Sequence, residues 1–199
     1  VDALGHPRDV VIIGGGAAGF AAAEMLRRRG YCGRLTMLSD ETDPPCDRPN
    51  LSKDFLAGTA PESWMPLKGA AYYEKNGIDL RLGCKVSAID TAARKLAFAD
   101  GGSVGFDRLL IATGAEPVRL PIPGADLGHV FTLRSLADSR ALGAAAAQAK
   151  SAVILGAGFI GLEVAAALRQ RGLVVHVVSL DERPLERVLG RELGDFIRR

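Results

Sequence analysis

The amino-acid sequence predicts an α/β protein with a doubly wound, mostly parallel sheet that also carries a β-meander. Three observations predict this fold class. Apolar, β-branched runs alternate with helical segments, two of these runs end in a Gly-x-Gly-x-x-Gly turn, and several short alternating runs lie between the two turns. With 199 residues, of which 48% are hydrophobic, the chain can bury the core that such a fold needs.

The first glycine turn follows the apolar run Val10–Ile13 and leads into an alanine-rich helix. Gly14 permits the turn, Gly16 lets a pyrophosphate approach the backbone, and Gly19 lets the helix pack closely against the strand. Phosphates bind well at a helix N-terminus because unpaired N–H groups and the helix dipole favour negative charge. Asp40 follows the next apolar run, where an acid that accepts ribose hydroxyls is expected.

A second copy of this pattern begins at Ala152–Leu155 and continues through Gly156, Gly158 and Gly161. A helix is predicted behind it, over residues 162–171. A single Gly-x-Gly-x-x-Gly is weak evidence because glycine-rich turns also occur without ligands. Two copies, each between an apolar strand and a helix, predict two bound dinucleotides.

Between the turns, the segment 44–53 contains three prolines, which predict a stiff loop without a regular strand or helix. Asn50 or Ser52 is expected to cap a helix that begins near Lys53. Arg48 and Lys53 could contact a pyrophosphate or a flavin ring. The alternative, surface charges on a proline-rich loop, is favoured by this stretch alone.

Two further groups of side chains are predicted to have structural roles. The three arginines 27–29 are interpreted as a solvated last helical turn that stops at Gly30, with no function assigned. Trp64, Tyr72 and Tyr73 are interpreted mainly as packing residues.

A β-meander that feeds back into the main sheet is predicted from four short runs separated by turn residues. These runs are Ile78–Leu82, Lys85–Asp90, Lys95–Ala99 and Phe106–Ala112. The last run leads into Thr113 and Gly114, small residues at a strand end where backbone can lie against a ligand.

Composition and charge exclude several classes of function. The net charge of +2 and the dispersed Lys and Arg residues argue against a nucleic-acid partner. The sequence has no apolar run of membrane-spanning length, and residues 1–8 resemble a linker rather than a signal peptide. The three cysteines contain no Cys-x-x-Cys pair, so no disulfide framework and no metal site are predicted. A cytoplasmic protein without a membrane partner is expected, and the pattern predicts no particular oligomeric state.

The combination of motifs resembles a known family of FAD-dependent pyridine-nucleotide reductases, which includes ferredoxin and rubredoxin reductases and apoptosis-inducing factor. The resemblance rests on the paired glycine turns, the segment from Asp47 to Lys53, the strand ending Ala112-Thr113-Gly114 and the segment Leu133–Asp138. The Arg48-to-Lys53 segment separates this branch from the glutathione-reductase branch, where a redox-active cysteine pair would lie. Asn50 and Cys46 are similar to apoptosis-inducing-factor-like members that carry a Rieske domain.

The resemblance implies a role for each matching residue. FAD would contact Gly14, Gly16, Ala18, Gly19, Asp40, Arg48, Lys53, Val86, Thr113, Gly114 and Arg134. NAD(P)H would contact Gly156, Gly158, Phe159, Ile160 and Gly161. Lys53 and Glu163 are the implied catalytic pair, with Glu163 near the nicotinamide.

The resemblance further implies an oxidoreductase that passes electrons from the nicotinamide through the flavin to an iron–sulfur acceptor such as ferredoxin, rubredoxin or a Rieske centre. Residues 9–119 would be the first segment of the FAD domain, and residues 120–199 the N-terminal half of the NAD(P) domain. Because the family continues well beyond the position of Arg199, the sequence is expected to be an N-terminal portion that is inactive alone.

Two other functions compete with this one. The first is a thiol-dependent NADH oxidase or disulfide reductase that uses Cys46, and the second is a non-catalytic, redox-responsive nucleotide-binding protein. NADH is favoured over NADPH, because Ser179 occupies the expected ribose position and Asp181 and Glu182 outnumber Arg183 nearby.

Overall fold

The computed structural model describes residues 7–199, so residues 1–6 of the predicted linker lie outside the described residues. The described part of the chain forms two compact units. Unit 1 contains the residues up to Cys46 and Pro66–Glu116, whereas unit 2 contains Asp47–Met65 and Pro117–Arg199. Each unit contains parallel strands and one of the two glycine turns, which confirms the predicted α/β class with parallel sheets.

In chain order, the strands and α-helices are β1 (Asp9–Ile13), α1 (Ala17–Arg28), β2 (Arg34–Leu38), α2 (Asp54–Ala57), α3 (Ala70–Lys75), β3 (Ile78–Arg81), β4 (Val86–Asp90), β5 (Lys95–Phe98), β6 (Ser103–Gly105), β7 (Arg108–Ile111), α4 (Leu136–Ala146), β8 (Ser151–Leu155), α5 (Phe159–Gln170), β9 (Val174–Val178) and α6 (Glu186–Arg198). Short 3-10 helices cover Arg48–Ser52 and Glu62–Trp64.

Unit 1 is built on a four-stranded parallel sheet with the order β3-β2-β1-β7. Its central strands, β1 and β2, are mostly apolar because both of their faces are covered beyond the first residue of each. One face contributes Ile12, Leu35 and Met37 to a core with Phe20 of α1 and Tyr73 of α3. The opposite face packs against side chains of the antiparallel sheet. The continuous apolar runs of the sequence therefore correspond to strands that are buried on both sides.

The β-meander is present, but one of its four predicted runs pairs in the other sheet, and one of its strands was not predicted. Strands β4, β5 and β6 form the antiparallel sheet, and β7 then returns to pair with β1 in the parallel sheet, as predicted. The run at Ile78–Arg81 belongs instead to the parallel sheet, where Ile78 pairs with Leu35. The third strand of the meander is Ser103–Gly105, which the sequence did not reveal. Alternation over a few residues identifies a strand but not its partner, because pairing depends on distant residues.

Unit 2 contains the two-stranded parallel sheet β8-β9, and α5 packs on it. Its core is a cluster of aliphatic side chains that includes Leu56 of α2, Ala146 of α4, and Val164 and Leu168 of α5. Helix α5 begins at Phe159, three residues earlier than predicted. Residues of β8 alternate between exposed and half-buried, so this strand is covered on only one face.

The proline-rich segment differs from its prediction because it contains a turn of 3-10 helix over Arg48–Ser52. Pro49 lies in the first turn of this helix, where a backbone N–H has no helical acceptor and proline is tolerated. The N-cap residue of α2 is Lys53 rather than Asn50 or Ser52, and it makes no side-chain cap hydrogen bond. The side-chain oxygen of Asn50 nevertheless accepts the N–H of Phe55 in the first turn of α2, at 3.0 Å.

Two interpretations of individual side chains were wrong. The guanidinium of Arg27 is not simply solvated, since it donates hydrogen bonds to the carbonyls of Asn76, Tyr31, Gly33 and Gly77. It thereby connects the end of α1 to the loop before β3. Trp64 is 68% exposed, so this aromatic ring does not pack in a core, whereas Tyr73 is buried as predicted.

Within residues 7–199, none of the helices combines the length and the apolar character that crossing a membrane requires.

Candidate functional site

The first glycine turn connects β1 to α1 and leaves the N-terminus of α1 open. Gly14 has φ +120°, a conformation that L-residues with a side chain rarely adopt, and its N–H donates to the carbonyl of Leu38 at 2.7 Å. A Cβ added at Gly19 would overlap the carbonyl oxygen of Gly14, so only glycine permits this close helix-to-strand packing. No side chain caps α1, and Ala17 and Ala18 are exposed.

Other predicted residues of unit 1 lie near the same edge of the parallel sheet. Thr113 follows β7, and its backbone N would lie 3.0 Å from a Cβ at Gly14. Gly114, beside it, has φ +76°. Asp40 is exposed after the end of β2. Because the carboxyl ends of adjacent parallel strands meet at one edge, the topology brings these groups to the crevice where open α/β sheets bind ligands.

Val86 lies elsewhere in unit 1, on the antiparallel sheet. It is half-buried and packs against the cluster that contains Val11, Ile13 and Leu38. Its surroundings are thus those of an apolar side chain at the interface of the two sheets of this unit.

The second glycine turn, in unit 2, connects β8 to α5. Gly156 has φ +110°, and its N–H donates to the carbonyl of Val178 at 2.8 Å. A Cβ at Gly158 would meet no described atom within 4 Å, so the space beside this backbone is open. Phe159 and Ile160 are both more than half exposed. The turn offers an accessible helix N-terminus, the arrangement that binds pyrophosphate in dinucleotide folds.

Unit 2 also brings Arg48 and Arg134 together. The Nη1 of Arg48 donates to the backbone carbonyl of Arg134 at 2.7 Å. Arg134 precedes a capping box in which the Ser135 side chain accepts the N–H of Asp138 and the Asp138 carboxylate accepts the N–H of Ser135. The Leu133–Asp138 motif therefore fixes the start of α4 and the position of the carbonyl that holds Arg48.

The structure contains the ion pair between Lys53 and Glu163 that the resemblance implied. The Nζ of Lys53 lies 2.9 Å from Oε2 of Glu163, although the two residues are 110 positions apart in the sequence. Lys53 immediately precedes α2, and Glu163 lies in the second turn of α5. Contacts between α2 and α5 bring the two side chains into reach. The pair is partly exposed, which leaves it accessible to a ligand of this unit.

Ser52 is a further member of this group that the sequence did not reveal. Its hydroxyl donates to Oε2 of Glu163 at 2.5 Å, and this hydrogen bond is the main cause that lowers the pKa of Glu163. Burial acts in the opposite direction, and Lys53 lowers the pKa further. The sequence contained one signal, a serine directly before the lysine, but it suggested a helix cap rather than a carboxylate partner.

A family model described as pyridine nucleotide-disulphide oxidoreductase matches residues 8–199. The ferredoxin–NAD(+) reductase component of the biphenyl dioxygenase system of Paraburkholderia xenovorans is 43% identical over 95% of this chain and 46% of its own length. Rhodocoxin reductase of Rhodococcus erythropolis is 41% identical over 94% of this chain and 44% of its own length.

Among solved structures, the covalent putidaredoxin reductase–putidaredoxin complex is similar with a TM-score of 0.90 and 33% identity. The match covers 97% of this chain and 47% of the other. The chain thus spans about half the length of these relatives.

Proposed function

Because this chain belongs to the pyridine nucleotide-disulphide oxidoreductase family, we propose that the whole protein is an FAD-dependent NAD(P)H oxidoreductase that delivers electrons to an iron–sulfur protein. Its acceptor would be a ferredoxin, a rubredoxin or a Rieske-type centre. The similarity to ferredoxin and rhodocoxin reductases supports this class of activity. The proposal rests mainly on one observation: the chain contains two complete strand–glycine turn–helix sites with almost the same backbone geometry.

The first site fits FAD, with residues 9–119 as the first segment of its domain. The open N-terminus of α1 at Gly16 and Ala18 offers N–H groups to a pyrophosphate, and the exposed Asp40 offers a carboxylate to ribose hydroxyls. On the resemblance, we propose further FAD contacts within unit 1 for Val86, Thr113 and Gly114. When bound, the flavin supplies the chemistry that separates a two-electron donor from a one-electron acceptor.

The second site fits a nicotinamide dinucleotide, with residues 120–199 as the first half of its domain. The open space beside Gly158 leaves room for phosphates, and Phe159 and Ile160 present exposed apolar groups at the start of α5. Glu163 lies on the same helix, one turn further on. We propose that the Lys53–Glu163 ion pair orients the reacting rings. Because its two charges are opposite, it places no net charge beside them.

The buried position of Cys46 argues against the thiol-dependent alternative. This side chain is 8% exposed, whereas a thiol that attacks a substrate needs access as well as a lowered pKa. The non-catalytic alternative predicts a different result with NADH, since a nucleotide-responsive binding protein would not turn it over. A cytoplasmic location belongs to the proposal, because the cysteine pattern is unlike that of disulfide-stabilised secreted proteins.

The direct test is anaerobic mixing of the full-length protein with NADH, followed by flavin absorbance and then by reduction of an added ferredoxin. The wild-type protein is expected to purify with FAD and to lose its flavin absorbance within the mixing experiment. Gly16→Val should abolish FAD binding by steric exclusion, whereas Gly158→Val should keep FAD and weaken NADH binding at least tenfold. A yellow Gly16→Val protein, or a wild-type flavin that NADH does not reduce, would refute the proposal.

We further propose that NADH is preferred to NADPH. Ser179 directly follows β9, and Arg183 is held by Asp195 at 2.7 Å and by Glu182 at 2.9 Å. These ion pairs offset the positive charge that would attract a 2′-phosphate. Ser179→Glu should raise the ratio of kcat/KM for NADH to that for NADPH by about tenfold, which corresponds to about 1.4 kcal/mol. An unchanged ratio would show that Ser179 does not face the ribose.

A further inference from the structure

Ser52 and Lys53 share the same two hydrogen-bond acceptors. The Ser52 hydroxyl lies 2.5 Å from Oε2 of Glu163 and 3.3 Å from the carbonyl oxygen of Pro49. The Lys53 ammonium lies 2.9 Å from the same carboxylate oxygen and 3.0 Å from the same carbonyl. Four neighbouring groups thus form a closed network of two donors and two acceptors.

The numbers of available protons differ between the two donors. A lysine ammonium has three protons and can serve both acceptors, whereas a serine hydroxyl has one proton and can serve one at a time. The carboxylate is both closer and charged, so it receives the proton of Ser52. If Glu163 were protonated, Ser52 would have to accept from it and turn its own proton to the more distant carbonyl of Pro49. The network therefore favours the ionised carboxylate.

We propose that Ser52 is a positioning residue whose hydroxyl keeps the Glu163 carboxylate ionised and fixed against the Lys53 ammonium. The inference rests on the proposed function, since it concerns the same pair. The different exposure of the two donors supports a fixed position for Ser52 and a more mobile one for Lys53. Ser52 is 5% exposed and held at the end of its 3-10 helix, whereas the Lys53 side chain is 47% exposed. Without the serine, the carboxylate would depend on a long side chain that water can compete for.

The other charged groups around this part of α5 do not replace Ser52. The elements packed against α5 carry Arg48, Lys53, Asp54 and His176 as titratable groups. Arg48 donates to the carbonyl of Arg134, and the ion pair of Glu163 is with Lys53. The pKa of Glu163 is lowered first by Ser52 and then by Lys53, in agreement with the geometry.

A second buried serine provides a matched control. Ser139 of α4 is 1% exposed, and its hydroxyl donates to the carbonyl of Leu51 at 2.7 Å. It therefore anchors the same 3-10 helix, one residue before Ser52, without a hydrogen bond to Glu163. A purely structural role of Ser52 would resemble that of Ser139, so the two alanine variants separate positioning of the carboxylate from anchoring of the backbone.

The test is a carboxyl ¹³C NMR titration of Glu163 in the full-length protein labelled at its glutamate side chains, both without and with FAD. E163Q identifies the resonance. S52A should raise the pKa of Glu163 by about one pKa unit, S52T should restore most of the wild-type value, and S139A should leave it unchanged. A wild-type value in S52A, or an equal rise in S139A, would overturn the inference.

A substitute variant and a second measurement complete the test. If S52A does not fold, S52C replaces it, because a thiol of similar size is a weaker donor. A wild-type pKa of Glu163 in S52C would then contradict the proposal. In the pH profile of flavin reduction by NADH, the acidic limb should move to higher pH in S52A but not in S139A. If NADH fails to reduce the wild-type flavin, the proposed function fails, while the NMR titration still decides the role of Ser52.

Discussion

The two glycine turns have nearly the same local geometry and very different surroundings. The N-cap residues of α1 and α5, Gly16 and Gly158, have backbone angles within 3° of each other. A Cβ at Gly19 or at Gly161 would overlap the carbonyl oxygen five residues earlier in its own turn. The same short motif therefore builds the same turn twice.

The surroundings differ because the two sheets differ. In unit 1, a Cβ at Gly14 would overlap the carbonyl oxygen of Ala112 at the end of β7, and β1 is almost completely buried. In unit 2, no described atom lies within 4 Å of a Cβ at Gly156, and β8 is largely exposed. The motif therefore sets the shape of a dinucleotide turn, whereas neighbouring strands set how strictly each glycine is required.

The largest expected effect separates the first glycines of the two turns. Gly14→Ala should destabilise unit 1 by about 4 kcal/mol or more, because a strained positive φ combines with an overlap against backbone. Within these 199 residues, Gly156→Ala should destabilise unit 2 by about 1–3 kcal/mol, because no neighbouring atom meets the added Cβ and only the backbone strain remains. Hydrogen exchange of the β1 and β8 amides in the 199-residue chain measures the two effects separately. Equal losses would contradict the role given to β7.

The second position of each turn should show an intermediate effect. A Cβ at Gly15 would lie 2.6 Å from Oγ and 2.8 Å from Cβ of Ser39, whereas the second turn already carries Ala157. Gly15→Ala should destabilise unit 1 by about 1–3 kcal/mol through overpacking. Ser39→Gly in the same chain should recover part of that loss. A double-mutant cycle on the stability of unit 1 measures this coupling, and its absence would show that the loop after β2 adapts freely.

The smallest expected effect is that of the buried Tyr73 hydroxyl in unit 1, the more tightly packed unit. Burial raises the pKa of Tyr73 to about 12, and its hydroxyl has no hydrogen-bond partner among the described residues. Because the folded pKa exceeds the ordinary value of about 10, this contribution to stability is complete below pH 10 and is lost as the pH rises towards 12. Tyr73→Phe should remove this loss and stay within about 1 kcal/mol of the wild type at neutral pH.

Urea titrations between pH 8 and pH 12 test the Tyr73 prediction, with hydrogen exchange of the β1 amides assigning the loss to unit 1. Tyr72→Phe is the control, since the Tyr72 hydroxyl donates to Glu24 at 3.0 Å and its removal breaks a real hydrogen bond. An alkaline loss that persists in Tyr73→Phe would assign it to other groups.

For the candidate site, the sequence was most informative about features that depend on residues close together in the chain. The glycine spacing predicted both turns, and the position of Asp40 after β2 followed from the same pattern. The Lys53–Glu163 pair was inferred from the resemblance to a family and is formed in the structure. Ser52 was missed as a partner of Glu163, because a serine beside a proline-rich turn has a local explanation as a cap, and its actual acceptor lies on a distant helix.

The two strand–turn–helix motifs could be predicted from the amino-acid sequence, because glycine conformation, apolar runs and helix starts depend on interactions within a few residues. Three other features follow only from the folded chain: Ile78–Arg81 joins the parallel sheet, Arg27 binds distant loops, and Ser52 donates to Glu163. These contacts join residues about 40 to 110 positions apart. Their partners are selected by packing of whole elements, since side-chain hydrogen bonds and strand pairing take whichever suitable group the fold brings into reach.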